Sequence, residues 1–347
     1  MLSQTIKRSY SAATNVSSLS LKLVNTTGAG KKQGLAHLLS RYNFLDTTEK
    51  SGLRLARESE VIGGTFKSTP LRDGSIELKA TFLKENLPYF LQALNNTVSK
   101  SAFKKYQFDE EVIPAVLNDA ADAASCSQLK AKDLLYQLTF KNSVLGQPVA
   151  YDQVDSISYE DVKEFASKLY SSSNAVLTAE NVEEAALKQF IAENEFLSTI
   201  PAKISSSNAT KSYVGESAAL RFAAPTGNST AAIAIPVAEK DFATYETLKN
   251  FVTSPLFKAS QDVSKAEFET YADKKVGVFS IYATGPAPAK SIKAIVESLK
   301  KGVSISGAAK FTETFSGVKS TATTYKLDKF NYVAVGKTTE LPTINEL

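Results

Sequence analysis

Residues 198–212, Ser-Thr-Ile-Pro-Ala-Lys-Ile-Ser-Ser-Ser-Asn-Ala-Thr-Lys-Ser, are polar and serine-rich, and they show neither the helical nor the strand period of apolar side chains. A stretch that buries nothing reads as a linker, and it falls where a chain of 347 residues, too long for one growing core, is expected to divide. The predicted organisation is one domain over 11–197, a linker over 198–213 and a second domain over 214–347. The two halves also read alike. Strand-like runs at 75–83 and 276–283 are each followed by a helical pattern, at 87–100 and 289–301, which suggests an internal duplication.

Local patterns give the fold class. Ser18–Val24 alternates as a half-buried strand does, and so does Ser75–Leu83 beyond a turn at Asp73-Gly74. Helical spacing marks Leu53–Ile62, with Ser51 as its cap and Gly63-Gly64 closing it, and Tyr159–Tyr170 after the cap Ser158. Further helices are read at 131–141, 182–195 and 241–252, and further strands at 174–179, 231–237 and 332–336. Strand, helix, helix, strand, strand, helix is an α+β order. It predicts in each half a mostly antiparallel sheet with helices packed on one face.

One helix carries chemistry. Gly34-Leu35-Ala36-His37-Leu38-Leu39-Ser40-Arg41-Tyr42-Asn43-Phe44 holds the only histidine in the chain. In inverted zincins such a helix carries His-x-x-Glu-His, because residues four apart share a face and two imidazoles can grip one zinc ion while the Glu activates water. Counted from His37, the Glu position is Ser40 and the second His position is Arg41. A serine hydroxyl is too weak a base for that water, and a guanidinium repels a dication and does not deprotonate to bind one. The degenerate set His37, Ser40 and Arg41 therefore predicts no catalytic residue and no bound metal.

These residues, with Leu53–Phe66 and Ala80–Leu83 beyond them and Lys329–Gly336 near the end, resemble the pitrilysin-like family that includes the mitochondrial processing peptidases. Within it they look like the core-protein branch of ubiquinol:cytochrome c reductase, respiratory complex III. The resemblance implies two homologous metallopeptidase-like domains. It sets the third zinc ligand, a Glu, near Leu117, where Val116, Leu117 and Asn118 supply no carboxylate; Asp119 and Asp122 lie close by and read as a solvated helix face. It further implies a non-catalytic structural subunit that pairs with core protein 1 and other complex III subunits in a dimeric complex. Haems and an iron-sulfur cluster would be held by partner subunits and no cofactor by this chain. The alternative within the family is the non-catalytic alpha subunit of the processing peptidase, marked by a long glycine-rich loop. The candidates here, Gly285–Pro288 and Ser304–Ala309, are short. An active metallopeptidase is the third reading, and one His argues against it.

The remaining signals narrow the class. Residues 1–13 carry Lys7 and Arg8, many hydroxyls and no acid, and the first acid is Asp46, so 1–10 reads as a mitochondrial presequence with the mature start near Ser11. That address, with the resemblance, sets the expected location as peripheral on the matrix side of the mitochondrial inner membrane. The 40 basic and 36 acidic residues are interleaved, which speaks against a nucleic-acid groove. Apolar runs such as Ala231–Val237 fall short of a membrane span. The single cysteine, Cys126, rules out an internal disulfide and Cys-based metal sites. The loop Thr26–Lys32 lacks the ending of a phosphate loop and reads as a plain turn.

Overall fold

Leu19, Leu21 and Leu23 alternate with Ser18, Ser20 and Lys22, and Val16–Leu23 accordingly forms a strand, β1, whose leucines are fully buried. The computed structural model describes residues 15–25, 33–150, 156–201, 210–221, 228–271, 275–320 and 322–347. The expected presequence 1–10, the loop 26–32 and residues 202–209 of the expected linker lie outside these residues. The chain forms two compact units, 1–120 with 149–205 and 121–148 with 206–347.

In the first unit β1 leads to helices α1 (Leu35–Tyr42) and α2 (Gly52–Val61), then to strands β2 (Thr65–Pro70) and β3 (Ile76–Leu83) and helix α3 (Leu87–Ser99). The predicted Asp73-Gly74 turn joins β2 to β3. Gly74 takes a left-handed φ of 79°, and the Asp73 carboxylate accepts from Ser75 N at 2.9 Å. A short helix α4 (Lys105–Gln107) passes through a π-turn at Phe108–Val112 into α5 (Ile113–Ser125). After α6 (Ser127–Phe140), which belongs to the other unit, the chain returns with α7 (Tyr159–Leu169), β4 (Ala175–Glu180), α8 (Glu184–Ala192) and α9 (Glu195–Ser198). The expected caps form: Ser51 Oγ accepts from Arg54 N at 3.3 Å, and Ser158 with Asp161 makes a reciprocal capping box. The sheet is antiparallel in the order β2-β3-β1-β4. One face packs Leu19, Leu21, Leu78 and Phe82 against Leu38 of α1, Phe90 and Leu94 of α3 and Phe165 of α7; the other carries Ser18, Ser20, Lys22, Glu77 and Lys79.

The second unit contains β5 (Ser217–Arg221), β6 (Ser229–Ala238), α10 (Phe242–Val252), β7 (Lys265–Tyr271), β8 (Val276–Gly285), α11 (Pro288–Lys300), β9 (Val303–Ser304), α12 (Ser306–Ser316), β10 (Thr324–Tyr325) and β11 (Asn331–Gly336). Its main sheet runs β5-β11-β6-β8-β7, antiparallel except for the β5-β11 pair. The order β7-β8-β6-β11 repeats β2-β3-β1-β4 element for element, as a duplicated chain requires. Of the two glycine-bearing stretches, one is the turn from β8 into α11 and the other runs from β9 into α12.

Two expectations need correction. The sequence reading places residues 121–148 in the N-terminal domain, yet they pack in the second unit. The reason is the apolar stripe of α6, where Ala131, Leu135, Tyr136 and Phe140 are buried against Ala232, Ala234, Val278, Tyr282, Val333 and Val335. Burying side chains such as Leu135, Tyr136 and Phe140 contributes about 1.5–3 kcal/mol each. Helices on one face alone describes the first unit only. In the second, α10, α11 and α12 cover one side of the sheet through Ile233, Ile281 and Ala334, and α6 covers the other. That is why β6, β8 and β11 are buried along nearly their whole length instead of at alternate residues. Among the described residues no helix is long and apolar enough to cross a membrane.

Candidate functional site: an ion triad in the frame of a zinc motif

Helix α1 is short, and its inward side is set by Leu35, Leu38, Leu39 and Tyr42, all buried. His37 lies among them with 4% of its surface exposed, and Arg41 follows one turn later with its head half in solvent. Opposite stands Asp119 of α5, three residues after the buried Val116 and one before the buried Ala120. His37 Nε2 meets Asp119 Oδ2 at 2.9 Å, and Arg41 Nε donates to the same oxygen at 2.6 Å while its Nη2 donates to Oδ1. The guanidinium thus grips the carboxylate with both prongs, the strongest ion-pair geometry open to these groups. Ser40 takes no part: its hydroxyl donates to the His37 carbonyl at 2.7 Å within its own helix turn.

The protonation states follow from this geometry. Burial is the largest influence on His37 and lowers its pKa from the ordinary 6.5; the hydrogen bond and charge of Asp119 work against burial, and the Arg41 charge works with it. For Asp119 burial alone would raise the carboxyl, but the bonds and charges of Arg41 and His37 outweigh it and hold the group below the usual carboxylate range. A neutral imidazole beside a carboxylate must keep its proton on Nε2 to donate there, and Nδ1 is left buried without a partner among the described residues. Because the chain has one histidine, selective labelling gives one imidazole resonance. Its midpoint is expected below 6.5, and lower still in Asp119→Asn, since both effects of Asp119 raise it. A midpoint above 6.5, or an upward move in the variant, would contradict this assignment.

The donor set does not fit zinc. One imidazole nitrogen is committed to a carboxylate, both oxygens of that carboxylate are taken by a guanidinium, and the guanidinium offers no lone pair. Among the described residues no group of three or more His, Cys, Asp or Glu converges as metal ligands do. The expectation for Asp119 is corrected: it is drawn into the site, whereas Asp122 is exposed as expected. Val116 and Ala120 set the inward face of α5, and Asp119 lies at its border, where it reaches α1 across a sequence separation of 78 residues that local periodicity does not register. In the second unit the matching helix α10 presents Tyr245, packed on Phe268, Phe279 and Tyr325, and Glu246, paired with Lys249 at 2.5 Å. Cys126 precedes the first turn of α6 and is half-buried.

The profile of the insulinase family, peptidase family M16, matches residues 25–153. Cytochrome b-c1 complex subunit 2, mitochondrial, of Saccharomyces cerevisiae is 41% identical over 97% of this chain and 94% of its own length. The protein of the same name from Debaryomyces hansenii is 35% identical, and both chains are covered in full. Among solved structures, a protease from Helicobacter pylori superposes with a TM-score of 0.68 at 17% identity, over 88% of this chain and 79% of that one, a likeness of fold.

Proposed function

The chain belongs to the family of mitochondrial cytochrome b-c1 complex subunit 2, and on that footing we propose that it serves as a non-catalytic core subunit of respiratory complex III. The observation that carries this is the end-to-end similarity to the Saccharomyces cerevisiae subunit, 41% identical over 97% of the chain. The ion triad supports the non-catalytic part. A peptidase of this fold needs a base and a metal-bound water, and here the base position is a serine bonded to its own backbone and the second ligand position is an arginine. The role is then structural: the subunit contributes to the assembly and stability of the complex that passes electrons from ubiquinol to cytochrome c. It pairs with core protein 1, in a dimeric complex, peripheral on the matrix side of the mitochondrial inner membrane. Haems and the iron-sulfur cluster belong to partner subunits.

The test is a gentle detergent extraction of mitochondrial membranes, with capture through a tag on a flexible spacer after Leu347. Haems b and c recovered in near-equal ratio to this chain, together with a second peptidase-like chain, are the expected result. A soluble heterodimer free of haem would overturn the assignment and turn attention to the alpha subunit of the processing peptidase.

A further inference from the structure

We infer that Arg41 is the resident cation of the site. Its guanidinium stands where the zinc-binding frame would hold a metal, and by joining Asp119 it ties α1 to α5. Three observations carry this. Arg41 sits four residues after His37, on the same face of α1, where a second imidazole would stand. Asp119, 78 positions away in sequence, turns both oxygens to it. His37 Nε2 points at the oxygen that Arg41 Nε also engages, so the two side chains from α1 and the one from α5 converge on one spot, as three ligands would. A metal ion in such a place links two helices but can be lost to a chelator or to acid. A guanidinium is covalently held and keeps its charge at all pH values the protein meets. The site has exchanged a removable link for a permanent one, so the α1–α5 tie does not depend on metal supply.

If so, a metal should be able to take the tie back when the arginine yields to a ligand. The experiment uses the full-length chain alone, so its outcome is separate from the assembly reading above. The parent's melting temperature is expected to be the same with and without EDTA. Arg41→His in EDTA is expected to melt roughly 2–5 °C lower, and one equivalent of zinc should recover at least half of that loss. The recovery should vanish in Arg41→His combined with Asp119→Ala. Arg41→Lys, which keeps the charge and loses the fork, should fall between the parent and Arg41→His in EDTA. An Arg41→His protein that melts like the parent in EDTA overturns the inference, as does zinc stabilising the Asp119→Ala combination equally well. Should Arg41→His fold only when zinc is added, the inference stands; failure to fold in both conditions overturns it.

Discussion

Replacing Phe90 by alanine is expected to destabilise the protein by about 3–5 kcal/mol, the range for removing a fully enclosed aromatic side chain. Phe90 is completely buried and stacks on Phe82 with ring centres 4.7 Å apart and planes 8° from parallel, while Phe66 tilts against its other flank at 5.0 Å. Phe82 and Phe66 are carried by β3 and β2, so their rings are anchored on the sheet beside the space that would be vacated. The tip of the ring lies over Gly64, where a Cβ would come within 2.0 Å of Phe90 Cζ. Gly64→Ala alone should therefore also destabilise, by about 1–3 kcal/mol through overpacking. Together the two changes should cost clearly less than their sum, since the new methyl enters the vacated space. Thermal or denaturant unfolding measures both, and strictly additive losses would refute the packing account.

The second large effect is expected at Lys132 on α6. Its ammonium is mostly buried and lies 2.9 Å from Glu267 and 2.5 Å from Glu269, two carboxylates on one face of β7. Tyr136 also donates to Glu269 at 2.6 Å, and Tyr271 at 2.9 Å. Lys132→Ala leaves two like charges together with no cation between them, although Lys265 still reaches Glu267 at 2.5 Å. The loss should be about 2–3 kcal/mol, below the range for a fully buried pair because Glu269 keeps about a third of its surface in solvent. The pH dependence has a definite sign. Burial opposes the charge on Glu269, but Lys132 and the two phenols outweigh it and lower its pKa. Its contribution is thus present above the ordinary glutamate value and is lost as pH falls through the depressed folded value. Burial likewise opposes the charge of Lys132, and the two glutamates outweigh it and raise its pKa. That contribution is present below the ordinary lysine value and is lost as pH rises through the raised one. Because acidification through the lower limit removes the Glu269 contribution, Lys132→Ala should narrow the difference in stability between acid and neutral pH, and unchanged acid sensitivity would refute this.

What the sequence disclosed follows the range of the interaction. The leucine alternation of β1, the Asp73-Gly74 turn and the Ser158 cap are settled within a few residues, and each formed where its pattern lay. Strand β7 carries Lys265, Glu267 and Glu269, charges that no local pattern places in a sheet; Glu267 and Glu269 are matched by Lys132 from a helix more than a hundred residues earlier. The place of α6 was out of reach for the same reason. A signal did exist: Ala231–Val237 and Val276–Ala283 are apolar without alternation, the mark of a sheet covered on both sides. Runs of that kind require a layer on the second face, and α6 is that layer. In the site, that Ser40 and Arg41 stand where a zinc frame would carry Glu and His was legible from residue types alone, but the ion triad depends on Asp119, 78 positions after Arg41, facing α1.

The passage of residues 121–148 through the second unit has a consequence for how the protein is made. In chain order α6 precedes β6, the first of the three central strands it packs on, by about 90 residues, and only the edge strand β5 of that sheet comes between, so at roughly 5–20 residues per second the helix is made several seconds before the strands that cover it. Through that interval Leu135, Tyr136 and Phe140 have no sheet to lie on. Cutting the protein at the serine-rich stretch therefore does not separate two self-sufficient halves, because the N-terminal piece keeps a helix whose apolar stripe belongs to the other unit.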